Sequence, residues 1–157
     1  MSVVFAKTDA EIRDCWPVMF QLRPNLEEKD FVATIRKQFE EGYRLAFIRR
    51  KRKVVAAAGF RVMSSLFWGR FCYVDDLVTD ERARSQGLGK EMLDWVGEFA
   101  RAQGCQRLEL DSGVQRFAAH RFYLRQRMWI SCHHFSLDLK DRNDTGKAGV
   151  KRHGDTV

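Results

Sequence analysis

The sequence predicts an α/β fold, with a mixed central sheet of about six to seven strands flanked by about four helices in the order β-α-α-β-β-β-α-β-α-β. Three observations predict it. Short runs rich in β-branched and aromatic residues alternate with longer runs whose apolar residues recur at three-and-four spacing. One run, Val54-Val55-Ala56-Ala57-Ala58-Gly59-Phe60, is apolar almost throughout, as a strand covered on both faces should be. A glycine-punctuated turn, Arg84-Ser85-Gln86-Gly87-Leu88-Gly89-Lys90, lies between a strand-like run ending at Thr79 and a helical run beginning near Leu88.

Ser2 to Lys7 reads as a short first strand. Thr8 or Asp9 can cap the next helix, with Glu11 in its first turn, and Ile12, Cys15, Trp16, Met19 and Phe20 form its apolar face. Pro17 should kink or shorten it. Asn25 is the expected cap of a second helix with Glu27 and Glu28 in its first turn, the stripe Leu26, Phe31, Ile35 and Phe39, and an end at Gly42. Tyr43 to Ile48 and Val54 to Met63 read as strands joined by the basic turn Arg49 to Lys53, and Gly69-Arg70 as the turn before the strand ending at Thr79.

A helix from about Leu88 to Gln103 buries Leu88, Met92, Leu93, Val96, Phe99 and Ala100, and Gly104 ends it. Gln106 to Asp111 alternates as a half-buried strand. A helix over about Gln115 to Arg127 leads to a last strand, Trp129 to Leu139. Residues 1–139 therefore read as one domain. From Lys140 the composition turns polar, and 140–157 reads as a mobile tail that buries too little to order itself.

At 157 residues the chain is long enough to bury a core without staples. Four scattered cysteines, Cys15, Cys72, Cys105 and Cys132, read as buried thiols of a reducing compartment. No apolar run reaches the ~20 residues of a membrane span, and the N-terminus lacks a leader's apolar region, so the expected location is cytoplasmic, with no membrane partner. The net charge of +7 suits nucleic acid or a polyanionic cofactor equally. The five basic residues Arg49 to Lys53 read first as a solvated hairpin turn. His133 and His134 are adjacent on an expected strand and so face opposite ways, which argues against a metal site.

Strand, glycine turn and helix together are the arrangement that binds a phosphate, or else a plain helix entry that needs glycine. The first N–H groups of a helix lack partners within it and carry the positive end of its dipole. Arg84 and Lys90 add charge on either side. The spacing is not that of a Walker loop, and two glycines are too few for a dinucleotide fingerprint.

The pattern R-x-x-G-x-G, carried by Arg84, Gly87 and Gly89, with the preceding strand and following helix, resembles the acetyl-CoA motif of the GNAT superfamily of N-acyltransferases. Ala119 and Tyr123 form an A-x-x-x-Y pattern similar to the helix whose tyrosine sits near the CoA sulfur in that family. The resemblance covers about residues 2–139 and implies acetyl-CoA as co-substrate, a GNAT fold, and direct attack by a primary amine in a ternary complex. It implies backbone contacts from Leu77, Val78 and Thr79 to the pantetheine arm. The turn Arg84, Ser85, Gln86, Gly87, Leu88, Gly89 and Lys90 would hold the pyrophosphate.

Tyr123 would protonate the departing thiolate. Arg116 stands where many members have a cofactor-binding asparagine, and Arg127-Met128 where many have Gly-Phe. Asp75, which the resemblance turns with Tyr73 toward the acceptor, is the first candidate base, Asp76 the second and His120 a third. By strand alternation Asp75 and Asp76 should face opposite sides. The acceptor, a small-molecule amine or a protein amine, is open, as is a homodimer. Two rivals predict different behaviour: a non-catalytic acyl-CoA sensor binds CoA without turnover, and a nucleic-acid binder using the basic turn binds in a salt-sensitive way.

Overall fold

Among the described residues, five runs become strands and pair in sequence order. The computed structural model describes residues 3–139. The strands β1 (Val4–Phe5), β2 (Tyr43–Arg50), β3 (Lys53–Ser65) and β4 (Gly69–Thr79) are each antiparallel to the next, and β5 (Arg107–Leu110) lies parallel beside β4. The helices are α1 (Asp9–Leu22), α2 (Glu28–Glu40), α3 (Leu88–Ala102) and α4 (Phe117–Arg125). Contacts divide the chain into two units, the first ending at Leu110 and the second starting at Asp111.

Local chemistry sets the first helix. Thr8 Oγ1 accepts from the Glu11 N–H at 3.2 Å while Glu11 Oε2 accepts from the Thr8 N–H at 2.9 Å, a reciprocal cap. Pro17 neither ends α1 nor shortens it before Leu22. The cap expected at Asn25 is not made. Glu27 occupies the cap position of α2 without a side-chain bond, two residues beyond Asn25.

In the first unit the sheet is covered on both faces. Ala46 and Ile48 of β2, Ala58 and Phe60 of β3, and Cys72 and Val74 of β4 pack with Leu88, Met92, Val96 and Ala100 of α3. Leu45, Phe47, Val54, Ala57 and Val78 pack with Ile12, Cys15, Val18 and Met19 of α1 and Phe31 and Ile35 of α2. Double coverage explains why β3 is apolar along its first half and includes three fully buried alanines, Ala56, Ala57 and Ala58. The α3 stripe is the one that the periodicity predicts.

The expected last strand is absent. Among the described residues, none of Trp129–Leu139 joins a strand ladder, and Phe135, Leu137 and Leu139 are exposed. Alternating side chains permit a strand, but only backbone partners make one. Among the described residues the sheet therefore has five strands rather than six or seven. Cys132 is exposed, against the expectation of a buried thiol, while Cys15 and Cys72 are buried and their thiols pushed up to about 12 by burial. Residues 140–157, read from sequence as a tail, lie outside the described residues.

Candidate active site

A cleft of about 330 Å³ opens in the first unit between the end of α1, α2 and the β2–β4 face of the sheet. Met19, Leu26, Phe31 and Ile35 give it an apolar wall. Arg23, Asn25, Thr34, Gln38, Tyr43, Tyr73, Asp75 and Asp76 supply its polar groups. Thr34 and Gln38 are four apart on α2 and so share a face. The volume suits a small molecule or a single side chain.

Asp75 and Asp76 both line this cleft, which corrects the expectation that they face opposite sides. The cause is a bulge. Gly59 of β3 stands opposite Asp76, and the next residue, Phe60, stands opposite Val74, so Asp75 is one residue more on β4 than β3 can pair. An extra residue breaks the two-residue alternation and re-aims the side chains around it.

The two carboxylates are held differently. Asp76 accepts from Arg23 Nε on Oδ1 at 2.8 Å and from the Tyr43 hydroxyl on Oδ2 at 2.8 Å, and its side chain is only 12% exposed. Both of its oxygens are thus engaged. Burial and the neighbouring Asp76 charge push the Tyr43 phenol well above its ordinary value, so it remains a donor. Asp75 receives Arg61 Nε at 3.1 Å from each oxygen, while its carbonyl accepts from Arg23 Nη2 at 2.9 Å. Burial raises the Asp75 carboxyl above its ordinary value despite the Arg61 hydrogen bonds, which act in the opposite direction. Gly59 makes room for this network, because a Cβ there would lie 1.7 Å from the Tyr43 hydroxyl oxygen.

Among the described residues, the strand carrying both aspartates then becomes an open edge. β5 pairs with β4 only from Phe71 to Val74, and Leu77, Val78 and Thr79 pair on their other side with Ala58, Ala57 and Ala56 of β3. After Thr79 a 3-10 turn, Glu81–Ala83, leads through Arg84 and Ser85 into Gly87. Gly87 has φ of +78° and stands at the cap position of α3 with no side-chain bond, so the first N–H groups of α3, at Leu88, Gly89 and Lys90, are uncapped at the positive end of the dipole. Arg84, Ser85, Gln86 and Gly87 are exposed there. Lys90 is engaged elsewhere, its ammonium lying 2.5 Å from Asp94 one turn along α3.

The basic hairpin reaches the same region. Lys51 and Arg52 form its two-residue tip with φ of +45° and +66°, and Arg50 Nη1 donates to Gln86 Oε1 at 2.6 Å. A second cleft of about 770 Å³ is lined by Arg49, Arg50, Lys51, Lys53 and Arg82 together with Asp80 and Gln86.

In the second unit, Tyr123 is half-buried on α4, and burial raises its phenol above its ordinary value while the Arg116 charge partly offsets this. Arg116 is the cap residue of α4 and makes no side-chain capping bond. His120 Nε2 lies 2.8 Å from the Gly113 carbonyl oxygen, which leaves Nδ1 as its basic nitrogen. His134 Nδ1 lies 2.9 Å from Asp111 Oδ2.

Arg23, Tyr43 and Arg61, with Thr34 and Gln38 of α2, are site residues that the sequence reading did not single out. Arg23 meets Asp76 across 53 residues, so no local spacing reveals it. Tyr43 and Arg61 sit opposite one another in the β2–β3 register, and their pairing becomes a signal only once that register is known.

The model of the Acetyltransferase (GNAT) family matches residues 6–127. The Uncharacterized N-acetyltransferase YhdJ of Bacillus subtilis is 32% identical over 114 residues, which span 72% of this chain and 80% of that protein. The Aminoalkylphosphonate N-acetyltransferase of Salmonella typhimurium is 40% identical over 53 residues, 34% of each chain. Among solved structures, a transcriptional regulator from Bacillus halodurans superposes with a TM-score of 0.76 at 20% identity, covering 87% of this chain and 98% of that one, a likeness of fold.

Proposed function

The chain belongs to the GNAT acetyltransferase family, and from that premise we propose that it moves an acetyl group from acetyl-CoA to a primary amine by direct attack in a ternary complex. The observation that carries this reading is the course of β4. It runs from the carboxylate-lined cleft, along an edge that β5 leaves unpaired beyond Val74, toward the uncapped start of α3. A pantetheine arm can pair with such an edge as a strand would, and a pyrophosphate suits the N–H groups at 87–90. Leu77, Val78 and Thr79 would make the first contact through their backbone, and Arg84 to Lys90 the second.

The acceptor nitrogen attacks the thioester carbonyl carbon, a C–N bond forms, and the C–S bond breaks. The amine first gives up its ammonium proton, directly or through water, to Asp75. A half-buried carboxyl with a raised pKa is better matched to that transfer than an ordinary one. Asp76, held at both oxygens, positions Arg23 and Tyr43 instead. Tyr123, assigned from its family motif, gives a proton to the thiolate and recovers the second proton that the nitrogen sheds as the amide forms; its raised phenol stays protonated until it donates. The products are an amide and free CoA. The relative that acts on aminoalkylphosphonate supports a small amine as acceptor.

Thermal unfolding with and without acetyl-CoA tests the assignment, because a ligand bound only by the native state raises apparent stability. The parent should shift upward at millimolar acetyl-CoA, and Gly87→Glu should not. An amine panel followed by thiol release then separates an enzyme from an acyl-CoA sensor. No shift in the parent overturns the reading.

A further inference from the structure

The charge of the acceptor cleft is balanced, and this narrows the acceptor. Two aspartates beside a cleft suggest a cationic substrate, but here each is matched by an arginine, Asp75 by Arg61 and Asp76 by Arg23. A diamine or polyamine entering would find no uncompensated negative charge for its second ammonium. Arg23, by contrast, is only partly used. It lines the cleft, its side chain is 45% exposed, and its Nε and Nη2 are committed to Asp76 and the Asp75 carbonyl. Among the described residues Nη1 has no hydrogen-bond partner. A guanidinium held rigidly along one edge presents its other edge ready for an oxyanion.

We propose that the acceptor is a small primary amine carrying its own anionic group, a carboxylate or phosphate, which Arg23 recognises while the amine lies at Asp75. Arg23 binds the carbonyl of Asp75 itself, so the two recognition points are about one residue apart. The acceptor's amine and anion must then be separated by only a few bonds. The uncharged donors Asn25, Thr34 and Gln38 line the same cleft and add hydrogen bonds without disturbing the charge balance. The roughly 330 Å³ of space accommodates such a molecule without a polymer attached.

This inference rests on the acetyltransferase reading, so its test uses binding as well as turnover. β-Alanine, O-phosphoethanolamine, ethanolamine, propylamine and cadaverine are titrated calorimetrically into the full chain with CoA present at neutral pH. Either anionic amine should bind about tenfold or more tightly than ethanolamine, the effect of one charge-assisted hydrogen-bond pair. Arg23→Gln should collapse that ratio toward one, and Arg23→Lys should restore part of it. Equal or better binding of propylamine or cadaverine by the parent overturns the inference, as does binding of none of the five, and neither result depends on the variant folding. A ratio that survives in Arg23→Gln overturns Arg23 as its source. Thiol release from acetyl-CoA with the same amines is read separately: selective binding without release would leave the acceptor class standing and sink the enzymatic reading.

Discussion

Asp75 and Asp76 are neighbours on β4, yet both side chains line one cleft, because the bulge opposite Gly59 and Phe60 gives the strand one residue too many. Their partners then divide their roles. Asp76 is closed off by Arg23 and Tyr43, whereas the Asp75 carboxylate is held by Arg61 and is driven up in pKa by burial.

That division is open to test by paired substitution. Asp75→Asn should reduce kcat by about a hundredfold or more, the usual scale for a general base. Asp76→Asn should instead lower stability by about 1–3 kcal/mol, because Arg23 loses its charged acceptor. Steady-state kinetics and urea unfolding of the two proteins measure both effects, and the reverse pattern would exchange the two assignments.

The pH dependence follows from the raised Asp75 carboxyl. A base works only when deprotonated, so kcat/KM should rise with pH through an apparent pKa above the ordinary carboxylate range. Asp75→Asn should lack that limb. For stability the sign is opposite. The native state holds this proton more tightly than the unfolded chain, so the contribution is present below the unfolded value and lost as pH rises through the folded one. Unfolding of parent and Asp75→Asn at several acidic pH values reads the difference directly.

Gly59→Ala should perturb the cleft from behind. Its Cβ would overlap the Tyr43 hydroxyl, which is buried against Asp76 and cannot move outward freely. The expected cost is about 1–3 kcal/mol, with a raised KM for the acceptor. An unchanged unfolding midpoint would mean that the Tyr43 ring yields without cost.

Gly87→Ala separates backbone strain from charge. Nothing lies within 4 Å of a Cβ at this position, but φ is +78°. The substitution should cost about 1–2 kcal/mol through the left-handed backbone alone. Stabilisation by acetyl-CoA should weaken but persist, unlike its loss in Gly87→Glu. Differential scanning with a cofactor titration distinguishes the two.

The tip of the basic hairpin should be improvable. Lys51 and Arg52 both hold positive φ, a conformation that Asn-Gly adopts readily in a two-residue turn. Replacing Lys51-Arg52 by Asn-Gly should stabilise the protein by about 1–2 kcal/mol in urea unfolding.

The sequence by itself determined whatever depends on neighbours along the chain. The Thr8–Glu11 cap, the buried stripe of α3, the doubly covered β3 and the glycine at the start of α3 all follow from periods and short spacings. Helix and strand periods are local properties, so they can be read without a fold. Only the tertiary structure decided where the carboxylates point and what holds them. A bulge depends on the register between two strands, and the Arg23–Asp76 pair joins groups 53 residues apart. It also decided that Trp129–Leu139, alternating as a strand should, has no strand partner among the described residues. Alternation belongs to one segment, whereas a hydrogen-bonded ladder requires a second.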